Sequence, residues 1–147
     1  MKRIRRIVAV LFIFMFALCD SVSANDIGGS IIIDNAIDGE TYTIYKMLDL
    51  ESFDGDNYSY KVVSSEWDEF FDSGDGRFYF DVNSNGGVTF VGDEQNMSLV
   101  AQKALVYAKS HEGITKKSQR AVGGIVEFKD LDLGYYLVDS SVGVLCG

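Results

Sequence analysis

A chain of 147 residues with 22 Asp+Glu against 13 Lys+Arg carries a formal net charge of −9. A surface of that sign repels nucleic acid and anionic lipid, which argues against both as partners. With one histidine, two cysteines and no proline, the chain can build neither a histidine metal cluster nor a dense disulfide framework.

The first residues read as an export signal. Lys2, Arg3, Arg5 and Arg6 precede an uncharged run from Ile7 to Cys19, followed by small residues at Val22-Ser23-Ala24. This is the basic, apolar, small order of a secretory leader, and the apolar run is shorter than the ~20 residues a membrane span needs. Cleavage between Ala24 and Asn25 is expected, giving a leader over 1–24 and one domain over 25–147 with no membrane segment in the mature form. Lipidation at Cys19 is the alternative, but Phe16-Ala17-Leu18 lacks the small residue wanted beside the cysteine. The leader removes four basic residues and Asp20, which leaves 9 Lys+Arg against 21 Asp+Glu in the mature chain, a net charge of −12. Cys146 is then the only cysteine, so no internal disulfide is expected.

The mature chain alternates as strands do. "SIIIDN" (30–35) suits a strand buried on both faces, and Asp38-Gly39 supplies a turn. In "TYTIYKMLDL" (41–50), period-2 alternation places Tyr42, Ile44, Lys46, Leu48 and Leu50 on one face and Thr43, Tyr45, Met47 and Asp49 on the other. "YSYKVV" (58–63) reads as the returning strand. Trp67, Phe70 and Phe71 have the i, i+3, i+4 spacing of a short amphipathic helix over about 66–72, a plug on one end of the core. Ser84-Asn85-Gly86-Gly87 between two β-rich runs signals a hairpin.

Met97, Val100, Ala101, Ala104, Leu105 and Ala108 recur at helical spacing, with acidic residues before them and Lys109 and His111 after, which predicts a helix over about 96–110. A polar connection follows. "IVEF" and "YYLVD" then read as the last strand pair, joined by "KDLDLG", and Val144–Cys146 as the start of a segment paired partly beyond Gly147. The expected class is mainly β, an Ig-like β-sandwich with one inserted amphipathic helix and one short helix.

No catalytic set stands out, and the expectation is a non-enzyme without metal or cofactor. His111 reads as a helix-end residue, and no serine sits in a Gly-x-Ser-x-Gly setting. Carboxylates gather at 54–56 and 72–76, but without the spacing of a calcium loop they read as solvated charge. Asn57-Tyr58-Ser59 and Asn96-Met97-Ser98 match the glycosylation pattern, which carries meaning only for secretion through an ER. Lys46 lies on an apolar strand face. Buried there it would lose proton affinity and could attack an Asn carboxamide to form an internal isopeptide; its plain alternative is to snorkel outward, burying only its stem.

The ordered set "SIIIDNAIDGETYTIYKMLDL", "YSYKV", "EWDEFF", "NMSLVAQKALVYAKSH" and "GGIVEFKDLDLGYYLVDSS" resembles the N-terminal domain of sortase-assembled pilus subunits of Gram-positive bacteria. Its most specific pieces are "DGETYTIYK" and "FKDLDLGYYLVDSS", in that order around an Ala-rich helix. The resemblance implies a cell-surface, wall-associated fibre protein of tandem Ig-like domains whose partners are other pilin subunits and a sortase. A chain without proline holds neither the family's proline-bearing lysine motif nor LPxTG, so no residue is carried over to either role, and the sequence is expected to be the front portion of a larger protein. The competing expectation is an adhesin domain for a host glycan or matrix protein, with Tyr42, Tyr45, Tyr58, Tyr60 and Trp67 as stacking residues.

Overall fold

The structure, a computed structural model, describes residues 28–55, 57–140 and the backbone of 143–146. The expected cleavage site at Ala24 and Asn25, and Cys19, lie outside the described residues. Among the described residues, nine strands and two α-helices are arranged as a mainly β fold, a β-sandwich of two unequal sheets with helices packed on one side.

The spine is β2 (Thr41–Asp54), a strand of 14 residues in the larger sheet. Its first half lies between β6 (Lys116–Arg120) and β8 (Gly134–Ser140), and its second half pairs with β3 (Asn57–Val62). Beyond β3 come β5 (Gly87–Phe90) and β4 (Phe80–Val82), the hairpin expected around Asn85-Gly86, and β9 (Gly143–Cys146) flanks β8. Among the described residues, the second sheet is a ribbon of two strands, β1 (Gly29–Asp34) and β7 (Ile125–Leu131).

Two cores follow from the alternation of β2. Tyr45, Met47 and Leu48 face α1 (Asp68–Asp72) and α2 (Met97–Ser110), where Trp67, Phe70 and Phe71 are each 1% exposed and Val100, Ala101, Ala104 and Ala108 line the helix. The plug expected from "EWDEFF" is present as a 3-10 turn, Ser65–Trp67, leading into α1. Its rings pack edge-on, Trp67 to Phe70 at 5.7 Å and Phe70 to Phe71 at 5.2 Å between centroids, a geometry favoured by the aromatic quadrupoles. On the opposite face, Tyr42 and Ile44 meet Val126, Phe128, Leu131 and Tyr136 beneath the ribbon. The ribbon needs to cover only this part of the sheet, because Ser59, Lys61, Asp81 and Thr89 on the outer strands are exposed and polar.

Three expectations are corrected. β1 is not buried on both faces: Ile32 is 56% exposed and Ile31 and Ile33 are only half-buried, because a two-stranded ribbon has solvent on its outer face. The connection after Gly113 contains a strand, β6, whose five residues are all exposed; with no apolar residue it carries no periodicity, and its pairing with Thr41–Tyr45 alone defines it. β7 and β8 do not pair with each other; the "KDLDLG" corner carries the chain from one sheet to the other. Val144–Cys146 pairs on one side with Asp139, Val138 and Leu137 of β8; the pairing expected beyond Gly147 lies outside the described residues.

Candidate functional site

The chemistry-bearing candidate, Lys46, sits where β2 is interrupted. Opposite β8, Lys46 is aligned with Tyr136 and Leu48 with Tyr135, so Met47 is an extra residue, a β-bulge. A bulge moves every following side chain by one position relative to the pleat. Leu48 therefore joins Tyr45 and Met47 on the helix side, not Tyr42 and Ile44 as the alternation predicts, and Asp49 comes round beside Lys46.

Lys46 Nζ forms an ion pair with Asp49 Oδ1, with the lysine side chain 14% exposed. Its stem crosses β8 at Gly134: a Cβ added to that glycine would lie 2.6 Å from Lys46 Cε and closer still to the carbonyl oxygen of Leu48. Only a residue without a side chain lets the lysine and the bulged backbone pass there. The ammonium also stands 6.0 Å from the Tyr136 ring centroid. Lys46 thus buries its stem and brings its charged end to a carboxylate at a groove.

That groove, of about 560 Å³, runs beside the ribbon between the second half of β2 and the β7–β8 corner. Lys46, Asp49, Glu51, Lys61, Asp130 and Asp132 bring charge to its lining, and among the described residues no asparagine lines it. Tyr136 stands behind it and donates its hydroxyl to the Asp132 carbonyl at 2.6 Å. Burial, with the carboxylates of Asp132 and Asp49 adding to it, pushes the Tyr136 phenol up to about 12. The Tyr136 hydroxyl is thus engaged by a backbone carbonyl and the Lys46 ammonium by a carboxylate.

The aromatic candidates separate by burial. Tyr42, Tyr45 and Trp67 are 5%, 4% and 1% exposed and belong to the cores. Tyr42 receives the Ile37 N–H on its hydroxyl at 3.0 Å, and the Tyr45 phenol is raised first by burial. Tyr60 is half-buried against Tyr135. Only Tyr58, 57% exposed, stands free, and its cross-strand neighbour Phe53, 53% exposed, is an aromatic that the sequence reading missed. A cross-strand aromatic pair is visible only once the hairpin register is known.

His111 follows the last turn of α2, as expected. It stacks on Tyr107 at 3.9 Å between centroids, Nδ1 lies 2.8 Å from the Tyr107 carbonyl, and Nε2 lies 3.9 Å from Glu69. Of the acidic loops, Asp75 pairs with Lys103 at 2.9 Å. Among the described residues, no group of three or more His, Cys, Asp or Glu side chains is placed to hold a metal ion, and no helix is long and apolar enough to cross a membrane. No family model, curated protein or solved structure matches the chain.

Proposed function

We propose that this chain is a secreted structural module of a cell-surface pilus or fimbria, contributing subunit contacts in a wall-associated fibre. The observation that carries the reading is the meeting of the two most specific pieces of the resemblance. "DGETYTIYK" supplies the first part of β2 and "FKDLDLGYYLVDSS" supplies the corner and β8; they pair along Thr43–Lys46 and interlock where Lys46 crosses Gly134. Two segments more than eighty residues apart in sequence thereby form one interlocked unit at the centre of the sheet. The leader supports export, and a fold built on a long, doubly covered strand suits a module that bears load.

The test is the DNA downstream of Gly147 together with the polymer state of the encoded product. A continuing frame with a lysine-bearing motif and LPxTG, and a ladder of covalent multimers on the cell wall, is the expected result. A stop codon, no neighbouring sortase gene and a monomeric secreted product would refute the proposal. A second reading, an adhesin domain for a glycan or matrix protein, is favoured by the exposed Phe53–Tyr58 pair. Its signature would be saccharide or matrix-protein binding that Tyr58→Ala abolishes without loss of fold.

A further inference from the structure

The sheets of this molecule end in edges of unequal protection. β6 carries Lys116, Lys117 and Arg120 along five exposed residues, a charged guard of the kind that keeps edges from pairing. β4 spans three residues, too short to template much, and β9 spans four among the described residues. β7 bears Glu127 paired with Lys129 at 3.1 Å and turns away at Asp130, whose φ is 51°. β1 differs from all of these. It runs six residues, Gly-Ser-Ile-Ile-Ile-Asp, with no lysine, arginine or proline, and among the described residues only β7 pairs with it.

Its side chains tell the same story. Three consecutive isoleucines are the most apolar stretch of the described chain that forms a strand, yet none is fully buried. Ile32 points away from the core at 56% exposure, and Ile125 (50%), Ile37 (48%) and Val122 (78%) are exposed on or next to the ribbon. Two-stranded sheets are marginal alone, and an unguarded apolar edge is a template for another strand.

We propose that the free edge of β1 pairs antiparallel with β1 of a second copy, joining two ribbons into a four-stranded sheet, β7–β1–β1–β7. The sequence of β1 is self-complementary about Ile32. In that register Ile32 faces its own mate, Ile31 faces Ile33, and Ser30 faces Asp34, so a hydroxyl donor meets a carboxylate acceptor twice and no like charges stand opposite. A two-fold contact of this kind is closed, the same patch on both copies. Isoleucine also lies beside isoleucine on both faces of the new sheet, and that buries the exposure that a single copy leaves. A five-residue strand pair is a small contact between two chains whose mature form carries 9 Lys+Arg against 21 Asp+Glu, so the dimer is weak and tightens as salt screens the repulsion. A contact held by opposite charges would loosen instead.

The contact is read from β1 alone and would serve as one subunit contact of the proposed fibre. Its test in solution is separate from the fate of the full-length gene product. Sedimentation of the purified protein over rising concentration is expected to show a monomer–dimer equilibrium that strengthens with salt. Ile32→Lys puts two ammonium groups face to face at the two-fold axis and is expected to weaken dimerisation about tenfold or more, at an exposed position that leaves the monomer's circular dichroism unchanged. Ser30 gives a paired control on one exposed residue. Ser30→Lys places an ammonium opposite Asp34 and is expected to tighten the dimer, while Ser30→Asp sets carboxylate against carboxylate and loosens it. A parent protein that stays monomeric at millimolar concentration overturns the proposal, as does a dimer indifferent to Ile32→Lys or one that responds alike to both charges at residue 30.

Discussion

Gly134 stands at the closest approach of β8 to the bulge of β2, and it has no room for even one more carbon. Gly134→Ala would drive a methyl against the Leu48 carbonyl and the Lys46 stem. Because the obstacle includes backbone, the strand pair must separate locally, which places the cost at the upper end of overpacking, about 2–3 kcal/mol. Urea denaturation measures it; a loss below ~0.5 kcal/mol would show that the corner is not fixed as described. Lys46, held by Asp49 with no asparagine among the described residues that line its groove, is expected to remain a free amine. An intact mass equal to that of the sequence after cleavage would agree, and a deficit of one ammonia or one water would reveal a crosslink. Tyr136 supplies a pH dependence with a definite sign. Its phenol is raised from 10.0 to about 12 in the folded chain, so between those values the unfolded chain loses the proton first. The contribution is whole below pH 10 and is lost as pH rises toward 12. Tyr136→Phe should therefore flatten the alkaline fall of the denaturation midpoint; an unchanged slope would place the cause elsewhere.

At the scale of elements, α2 lies close to the sheet because it presents alanine. Ala101, Ala104 and Ala108 are 1%, 0% and 4% exposed, and Val100 beside them is also buried, while Val106 on the outer side is 71% exposed. Ala104→Leu is expected to cost about 1–3 kcal/mol by forcing the helix outward, and Val106→Ala to stay within about 0.5 kcal/mol of the parent. Equal effects would contradict the helix orientation. That orientation was legible beforehand, since 3.6-residue periodicity requires nothing outside the helix. The same holds for the aromatic plug at Trp67, Phe70 and Phe71, and for the hairpin at Asn85-Gly86, where the turn chemistry is local. What escaped depends on distant pairing. β2 reads as a regular alternation through Lys46, but the extra residue at Met47 exists only relative to β8, and so the sequence alone put Leu48 on the wrong face and left Asp49 away from Lys46. β6 has no apolar residue to betray it. The "IVEF" and "YYLVD" runs look like a hairpin, yet Asp130 in a left-handed conformation and the close fit at Gly134 direct them into different sheets. The candidate site was thus half legible: Lys46 was singled out, but its partner and its groove were not.

For the whole molecule, the question is whether attraction or repulsion dominates its electrostatics. The described ion pairs Lys103–Asp75, Lys109–Asp139 and Lys129–Glu127 all have at least one largely exposed partner, and such pairs are each worth about 0–1 kcal/mol. Against them stands an excess of acidic over basic residues, 22 to 13 in the full sequence. Glu66, Asp68, Glu69 and Asp72 all fall within one short stretch around α1, and Glu51 and Asp54 near the end of β2. Salt weakens both contributions, but close pairs are screened less than charges separated by a Debye length of about 10 Å at 0.1 M. Screening therefore removes more repulsion than attraction. The thermal midpoint at neutral pH is expected to rise with sodium chloride and to level off once that length falls to about 3 Å near 1 M. Dilute protein keeps the monomer's stability separate from any association. A midpoint that falls with salt would mean that the ion pairs outweigh the net charge, and would move the source of stability from the two apolar cores to the surface.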